Sequence, residues 1–354
     1  MRNAVLYNVQ ALRAVAALLV VHAHVAGVTG LGLSWEGGAS GVDLFFVISG
    51  FIIAYVASID SDQFMARRLI RIVPIYWSST IAIVMGVILF PTMFRSTSSD
   101  PWLLIQSLLF IPSESGGHSS DGLPHPTLSG GWTLNYEMYF YVLFAISLAI
   151  SKRRATVLSI AGLLGVMVLV RLTGLYESSS VAYFYGYPII LEFAFGVLAF
   201  HVIEFLAARR MAPRLILILT VLGGFACLAF TEEIFGTTPR WIVCGIPSFF
   251  IVVSAVLLER VHDLRVRNNA AIVVGDASYV LYLIHGYVVF GVHRTLIGKR
   301  QFSELTGQLV GLGLIAVATV AAILVYRFYE QPILRLLKKY LIKKRTISAE
   351  ATRA

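Results

Sequence analysis

An arginine and a histidine stand eleven residues apart in one apolar run, Asn8 to His24, NVQALRAVAALLVVHAH. Ionisable side chains are costly inside a bilayer, so Arg13 and His24 mark either a site or a polar helix interface. At 100° per residue, eleven residues make close to three helical turns. Both side chains therefore project from one face, about 16 Å apart along the axis. His22 falls on the opposite face, which makes His24 the histidine able to share a buried path with Arg13.

A second cluster lies in FMARRLIRIVPIYW, residues 64–77. Arg67 and Arg71 are four residues apart on one helical face, with Arg68 beside them. Three guanidiniums at a helix mouth suit a ligand with several phosphates. Ordinary positive-inside anchoring is the other reading. In GGWTLNYEMYFY, residues 130–141, Glu137 falls about 9 Å inside a span. A carboxylate there needs a partner, and a histidine such as His24 would make a proton-handling pair. A structural hydrogen bond to Tyr or Asn would also serve.

Further polar residues stay open in function. Asp43 in GVDLFFVISGFI, residues 41–52, is expected to cap the second span, while Ser49 and Gly50 allow a close helix approach. Glu192 and His285 are intramembrane. His285 either joins the His24 cavity or is a hydrogen-bonded core histidine. Glu330, before Gln331-Pro332, reads as a helix stop with a possible ion pair to Arg327.

These residues need membrane helices to position them. The 354-residue chain is 58% hydrophobic and 13% charged, with a mean hydropathy of +0.80. Soluble domains carry about 25% charged residues. The expected fold is an all-α polytopic membrane protein of about ten transmembrane helices. They are placed near 8–28, 41–58, 74–94, 132–150, 155–173, 184–205, 214–231, 241–258, 271–292 and 307–328. The segment 101–112, bracketed by Pro101 and Pro112, is too short to span and lies at the interface or re-enters. The first helix reads as a retained span, not a cleaved signal.

Of the 28 Lys and Arg, 20 fall in the termini and the alternate loops grouped with them, against 6 in the opposite loops. That puts both termini in the cytoplasm. It also accounts for the net charge of +9 without nucleic acid. Cys227 and Cys244 have no metal-ligand or disulfide-framework spacing. The outer segment 95–131, with Asp100, Glu114, His118, Asp121 and His125, is expected to be an irregular loop. Residues 1–333 read as one membrane domain and 334–354 as a basic tail on anionic lipid. With no soluble domain expected at either end, catalysis or transport falls to the membrane part.

Taken together, the motifs resemble the acyltransferase-3 family of integral-membrane acyltransferases, in order along nearly the whole chain. Arg13 and His24 look like its arginine, ten residues, histidine motif. GVDLFFVISGFI, Arg67-Arg68-x-x-Arg71 followed by Ile72-Val73-Pro74, and WTLNYEMYFY look like its next elements, with Thr133 where serine is usual. SYVLYLIH and YRFYEQP match the closing ones. The opening is similar to members that O-acylate exopolysaccharide repeat units. The resemblance implies a ten-helix enzyme of the inner membrane with acyl-CoA, by default acetyl-CoA, as donor substrate and no permanently bound cofactor or metal. The acceptor would be a hydroxyl of a sugar, lipid-linked or in a surface polysaccharide, with polysaccharide-assembly machinery as a possible partner.

The expected mechanism places acyl-CoA phosphates on Arg67, Arg68 and Arg71. The thioester arm passes Arg13 towards His24, in one continuous cavity. His24, oriented by Glu137, is then general base on the acceptor hydroxyl, with an acyl-histidine intermediate as the competing version. The rival class is a transporter or lipid-linked glycan flippase using the same buried charges as a relay.

Overall fold

The computed structural model describes residues 5–29, 36–90, 100–113, 122–230, 238–298 and 302–342. Arg95, Glu114, His118, Asp121 and the tail from residue 343 onward lie outside them. The described residues are helical, with no β-sheet. Among the described residues nine helices are long and apolar enough to cross a membrane, and Arg214–Ala229 is a shorter apolar helix where the seventh span was expected.

The helices are α1 (Tyr7–Thr29), α2 (Gly41–Ile59), α3 (Phe64–Leu89), α4 (Pro101–Leu108), α5 (Trp132–Ile150) and α6 (Ala155–Leu172). After short turns follow α7 (Leu191–Arg209), α8 (Arg214–Ala229), α9 (Ile246–His262), α10 (Asn269–Asp276), α11 (Ser278–Val292), α12 (Glu304–Val325) and α13 (Gln331–Leu341). The first helix is the hub: α1 packs on α2, α9, α10, α11 and α12. Its start is held by Glu259, whose two oxygens accept from the N–H groups of Tyr7 (2.9 Å) and Asn8 (2.7 Å). A carboxylate suits a helix N-terminus because the first amides have no partner within the helix.

Two expected boundaries differ. The third span does not begin at Pro74; α3 runs through it. Proline removes one ladder hydrogen bond, but Phe64, Ile70, Ile72, Ile75 and Tyr76 are buried on both sides of it and hold the helix together. Glu330 is not a helix stop either. The last span passes through a π turn, Tyr326–Glu330, into amphipathic α13. Glu330 is fully buried and faces Arg71 at 3.6 Å, while Arg327 lies over the Phe328 ring. The short apolar segment folds as α4, capped by Asp100 accepting from the Trp102 N–H at 2.9 Å.

One end of the bundle gathers the basic loops. There Lys152 pairs with Asp62 (3.1 Å), Arg67 with Asp60 (2.6 Å) and Arg260 with Glu204. This is called the basic end below, and the opposite one the far end. Midway between them α2 and α7 cross at Gly50 and Gly196. A Cβ on Gly50 would lie 2.2 Å from the Phe193 carbonyl oxygen, and one on Gly196 would lie 2.1 Å from that of Val47. Backbone cannot yield as a side chain would. Gly50→Ala is expected to cost about 1–3 kcal/mol by overpacking, read as a lower unfolding temperature in detergent. An unchanged midpoint would show that this crossing is loose.

Candidate active site

Two chambers lie back to back inside the bundle. The inner one, about 310 Å³, opens among the residues of the basic end. Arg13 from α1, Arg68 and Arg71 from α3 and Glu137 from α5 all line it. Each has a local support. Arg13 Nη1 donates to Gln10 Oε1 at 2.9 Å. Arg68 lies over the rings of Phe64 and Tyr141, and Arg71 over Tyr279. Glu137 accepts from Ser49 Oγ at 2.5 Å and from Tyr141 OH at 3.4 Å. On the lining three guanidiniums face the Glu137 carboxylate, and the fully buried Glu330 lies behind it, 3.6 Å from Arg71.

Arg67 points elsewhere. Its guanidinium is engaged by Asp60 at the mouth, so the arginines three apart, Arg68 and Arg71, share the chamber, and the pair four apart does not. Both spacings place residues on one side of a helix, and sequence spacing does not choose between them. Glu137 also differs in partner. It is held by Ser49 and Tyr141, and His24 is steered by its own helix: His24 Nδ1 donates to the Val20 carbonyl at 2.9 Å.

The far chamber is larger, about 820 Å³. His24 from α1 and His285 from α11 line it, with ring centroids 4.7 Å apart and planes at 73°. His125, Arg240, His293 and Arg294 also contribute to its wall. The expected single cavity is thus two chambers, and only Val42 and Tyr282 line both. Tyr282 is pinned in this partition: Thr133 Oγ1 donates to its hydroxyl at 2.8 Å, and it donates to the Gly130 carbonyl at 3.0 Å. Threonine in place of serine at 133 supplies the hydroxyl that makes this bond. Phe45 packs edge-on against the same ring. The helical arithmetic placed Arg13 and His24 on one face, and both do face the site, but a side-chain wall between them has no sequence signal.

Sequence reasoning also missed the pair that braces the far end. Asp43 does not cap α2. Arg240 donates from Nε and Nη2 to its two oxygens, each at 2.8 Å, and from Nη2 to the Ala39 carbonyl at 2.9 Å. The Asp43 side chain is fully buried in this two-pronged contact. Glu192, also fully buried, lies against Gly245 in the π turn that follows Arg240. Asp43 and Arg240 are 197 positions apart, so nothing local joins them. The available signal was a lone acid and a lone base, each at the far end of an apolar span.

A family model described as an acyltransferase domain matches residues 6–327. The chain belongs to this acyltransferase family. The acyltransferase is 32% identical over 314 residues to the exopolysaccharide production protein ExoZ of Rhizobium meliloti (strain 1021), covering 84% of this chain and 90% of that one. It is 28% identical over 331 residues to the acyltransferase MdmB of Streptomyces mycarofaciens, covering 85% and 82%. The O-acetyltransferase OatA of Staphylococcus aureus (strain NCTC 8325 / PS 47) is 26% identical over 339 residues, which are 86% of this acyltransferase and 54% of OatA. No solved structure matches the acyltransferase.

Proposed function

We propose that the acyltransferase moves an acyl group, acetyl by default, from acyl-CoA to a hydroxyl of a carbohydrate in an exported or surface polysaccharide or its lipid-linked precursor. The basic end faces the cytoplasm of a cell that carries the protein in its inner membrane. The observation that supports this most is the pairing of a cationic chamber at the basic end with a histidine-lined chamber beyond one shared wall. Arg68 and Arg71 hold the CoA phosphates, with Arg67 at the rim, and Arg13 guides the thioester arm to the Val42–Tyr282 partition, which has to open for the thioester to meet the hydroxyl at His24. Glu137, fixed by Ser49 and Tyr141, balances the arginines and orders the chamber. His24, with its lone pair on Nε2, takes the proton of the attacking hydroxyl. As the ester bond forms, the thioester C–S bond breaks, and that proton leaves on the thiol of CoA. The domain 1–333 carries these steps, and the tail 334–354 rests on the anionic leaflet. Polysaccharide-assembly machinery would supply the acceptor.

Two chambers with a barrier between them also suit a transporter or glycan flippase. Acyl transfer releases one CoA thiol for each ester formed, whereas transport consumes no thioester. Measuring free thiol against ester in purified protein with acetyl-CoA and native polysaccharide separates the two. Within the transfer reading, Arg68→Ala and Arg71→Ala are each expected to weaken acetyl-CoA binding about 10- to 150-fold, the loss of a charged hydrogen bond. Arg67→Ala, whose guanidinium pairs with Asp60 at the mouth and does not line the chamber, has a smaller effect. Titration calorimetry at two salt concentrations checks this order. Equal affinities for wild type and all three variants would leave the arginines as topology markers.

A further inference from the structure

The two imidazoles of the far chamber are prepared in the same way. His24 Nδ1 sits 2.9 Å from the Val20 carbonyl and His285 Nδ1 3.1 Å from the Leu281 carbonyl, each four residues back on its own helix. A carbonyl only accepts, so in both rings Nδ1 carries a proton, and in the neutral ring Nε2 then keeps its lone pair. The rings touch edge to face at 4.7 Å. His285 is 5% exposed, lines the chamber, and its Nε2 has no hydrogen-bond partner. Leaving a buried acceptor unpaired is costly, so such an atom on a chamber wall marks where a ligand donor belongs. No carboxylate is among the described residues lining the chamber. The group that steers His24 is the Val20 carbonyl of its own helix, in the place a side-chain acid often takes.

We infer that the far chamber is a carbohydrate site that grips two neighbouring hydroxyls of one sugar, the acylated one at His24 and the adjacent one at His285. The inference rests on the transfer reading and deepens it by naming what the acceptor must carry. His24 Nε2 takes the proton of the hydroxyl that becomes the ester. His285 Nε2 accepts a hydrogen bond from the neighbouring hydroxyl and exchanges no proton, so it selects and orients the acceptor without entering the bond changes. The chamber volume, about 820 Å³, leaves room for a sugar ring within a longer glycan. A site built to accept from a substrate hydroxyl discriminates strongly against the analogue that lacks it, because its own polar atom is then left unpaired.

The test uses purified full-length protein in liposomes with acetyl-CoA as donor. The acceptors are the methyl pyranosides of glucose, galactose and mannose, their monodeoxy derivatives, and native polysaccharide, with thiol release as readout. In the wild type, deleting a hydroxyl next to the acylated position is expected to lower kcat/KM at least about tenfold, mostly through KM. His285→Ala is expected to erase this difference, bringing parent and deoxy sugars within about threefold of each other. His285→Gln, which still presents an acceptor, restores part of the discrimination. Unchanged acetyl-CoA affinity in both variants shows that they are folded.

Three results would overturn the inference. Deoxy neighbours could be used as well as the parent by the wild type. The same penalty could persist in His285→Ala. Native polysaccharide could be acylated while every simple pyranoside is refused. If no carbohydrate at all, polysaccharide included, stimulates thiol release, the transfer reading itself fails and takes the inference with it.

Discussion

His24→Ala lowers acceptor-dependent release of CoA thiol by about 10²- to 10⁴-fold, the range that a positioned general base contributes. The expectation follows from placement. His24 is exposed into the far chamber, its Nδ1 is fixed by the Val20 carbonyl, and its Nε2 lone pair is open to an acceptor hydroxyl. No described carboxylate lines that chamber to take over the proton. Acetyl-CoA affinity should stay within about threefold, because the guanidiniums that would hold the donor line the other chamber. Single-turnover thiol release and a separate binding titration read the two effects independently. Turnover at the wild-type rate in a protein that binds acetyl-CoA would remove both the general-base and the acyl-histidine versions.

Arg240→Ala costs about 3–5 kcal/mol of stability, because it leaves the fully buried Asp43 carboxylate without its counter-ion. The loss reaches beyond one contact. Arg240 also donates to the Ala39 carbonyl in the turn before α2, and its own π turn packs Gly245 against buried Glu192. Removing it therefore loosens α2, α7 and α9 together at the far end. The double variant Asp43→Leu/Arg240→Leu should recover most of the loss, since an apolar pair of similar size replaces a buried ion pair at little cost. Thermal unfolding of the wild type and both variants in detergent measures this. A mild single variant with a worse double would show that the pair acts through something other than buried charge.

Composition and hydropathy made the membrane class legible, and the placement of nearly every helix with it, because a span must be long and apolar whatever its neighbours. Arg13, His24 and Glu137 stood out as ionisable groups within apolar runs and Arg68 and Arg71 by their spacing beside one, and the structure places all five on the chamber walls. Partners were not legible. Glu137 was matched to His24, but Ser49 of α2 and Tyr141 one turn on hold it instead. Asp43 read as a cap, but Arg240, 197 positions on at the start of a π turn, claims it. Pro74 read as a boundary, but buried side chains on both flanks carry α3 through it. Hydrogen-bond partners depend on how helices dock. Docking here rests on close approaches such as Gly50 with Gly196, which a sequence permits without specifying. The division of one expected cavity into two is of the same kind, since Tyr282 becomes a wall only when Thr133 and Gly130 of another helix end reach its hydroxyl.

The two chambers meet at Val42 and Tyr282, and the proposed reaction takes its donor through the one at the basic end and its acceptor through the other. Sealed vesicles holding the protein in one orientation, with the basic loops outward and native polysaccharide in the lumen, test this directly. Acetyl-CoA added outside should appear as ester on the enclosed polysaccharide and as free thiol outside, in equal amounts. Ester formed only when acetyl-CoA and polysaccharide share the same side would contradict it.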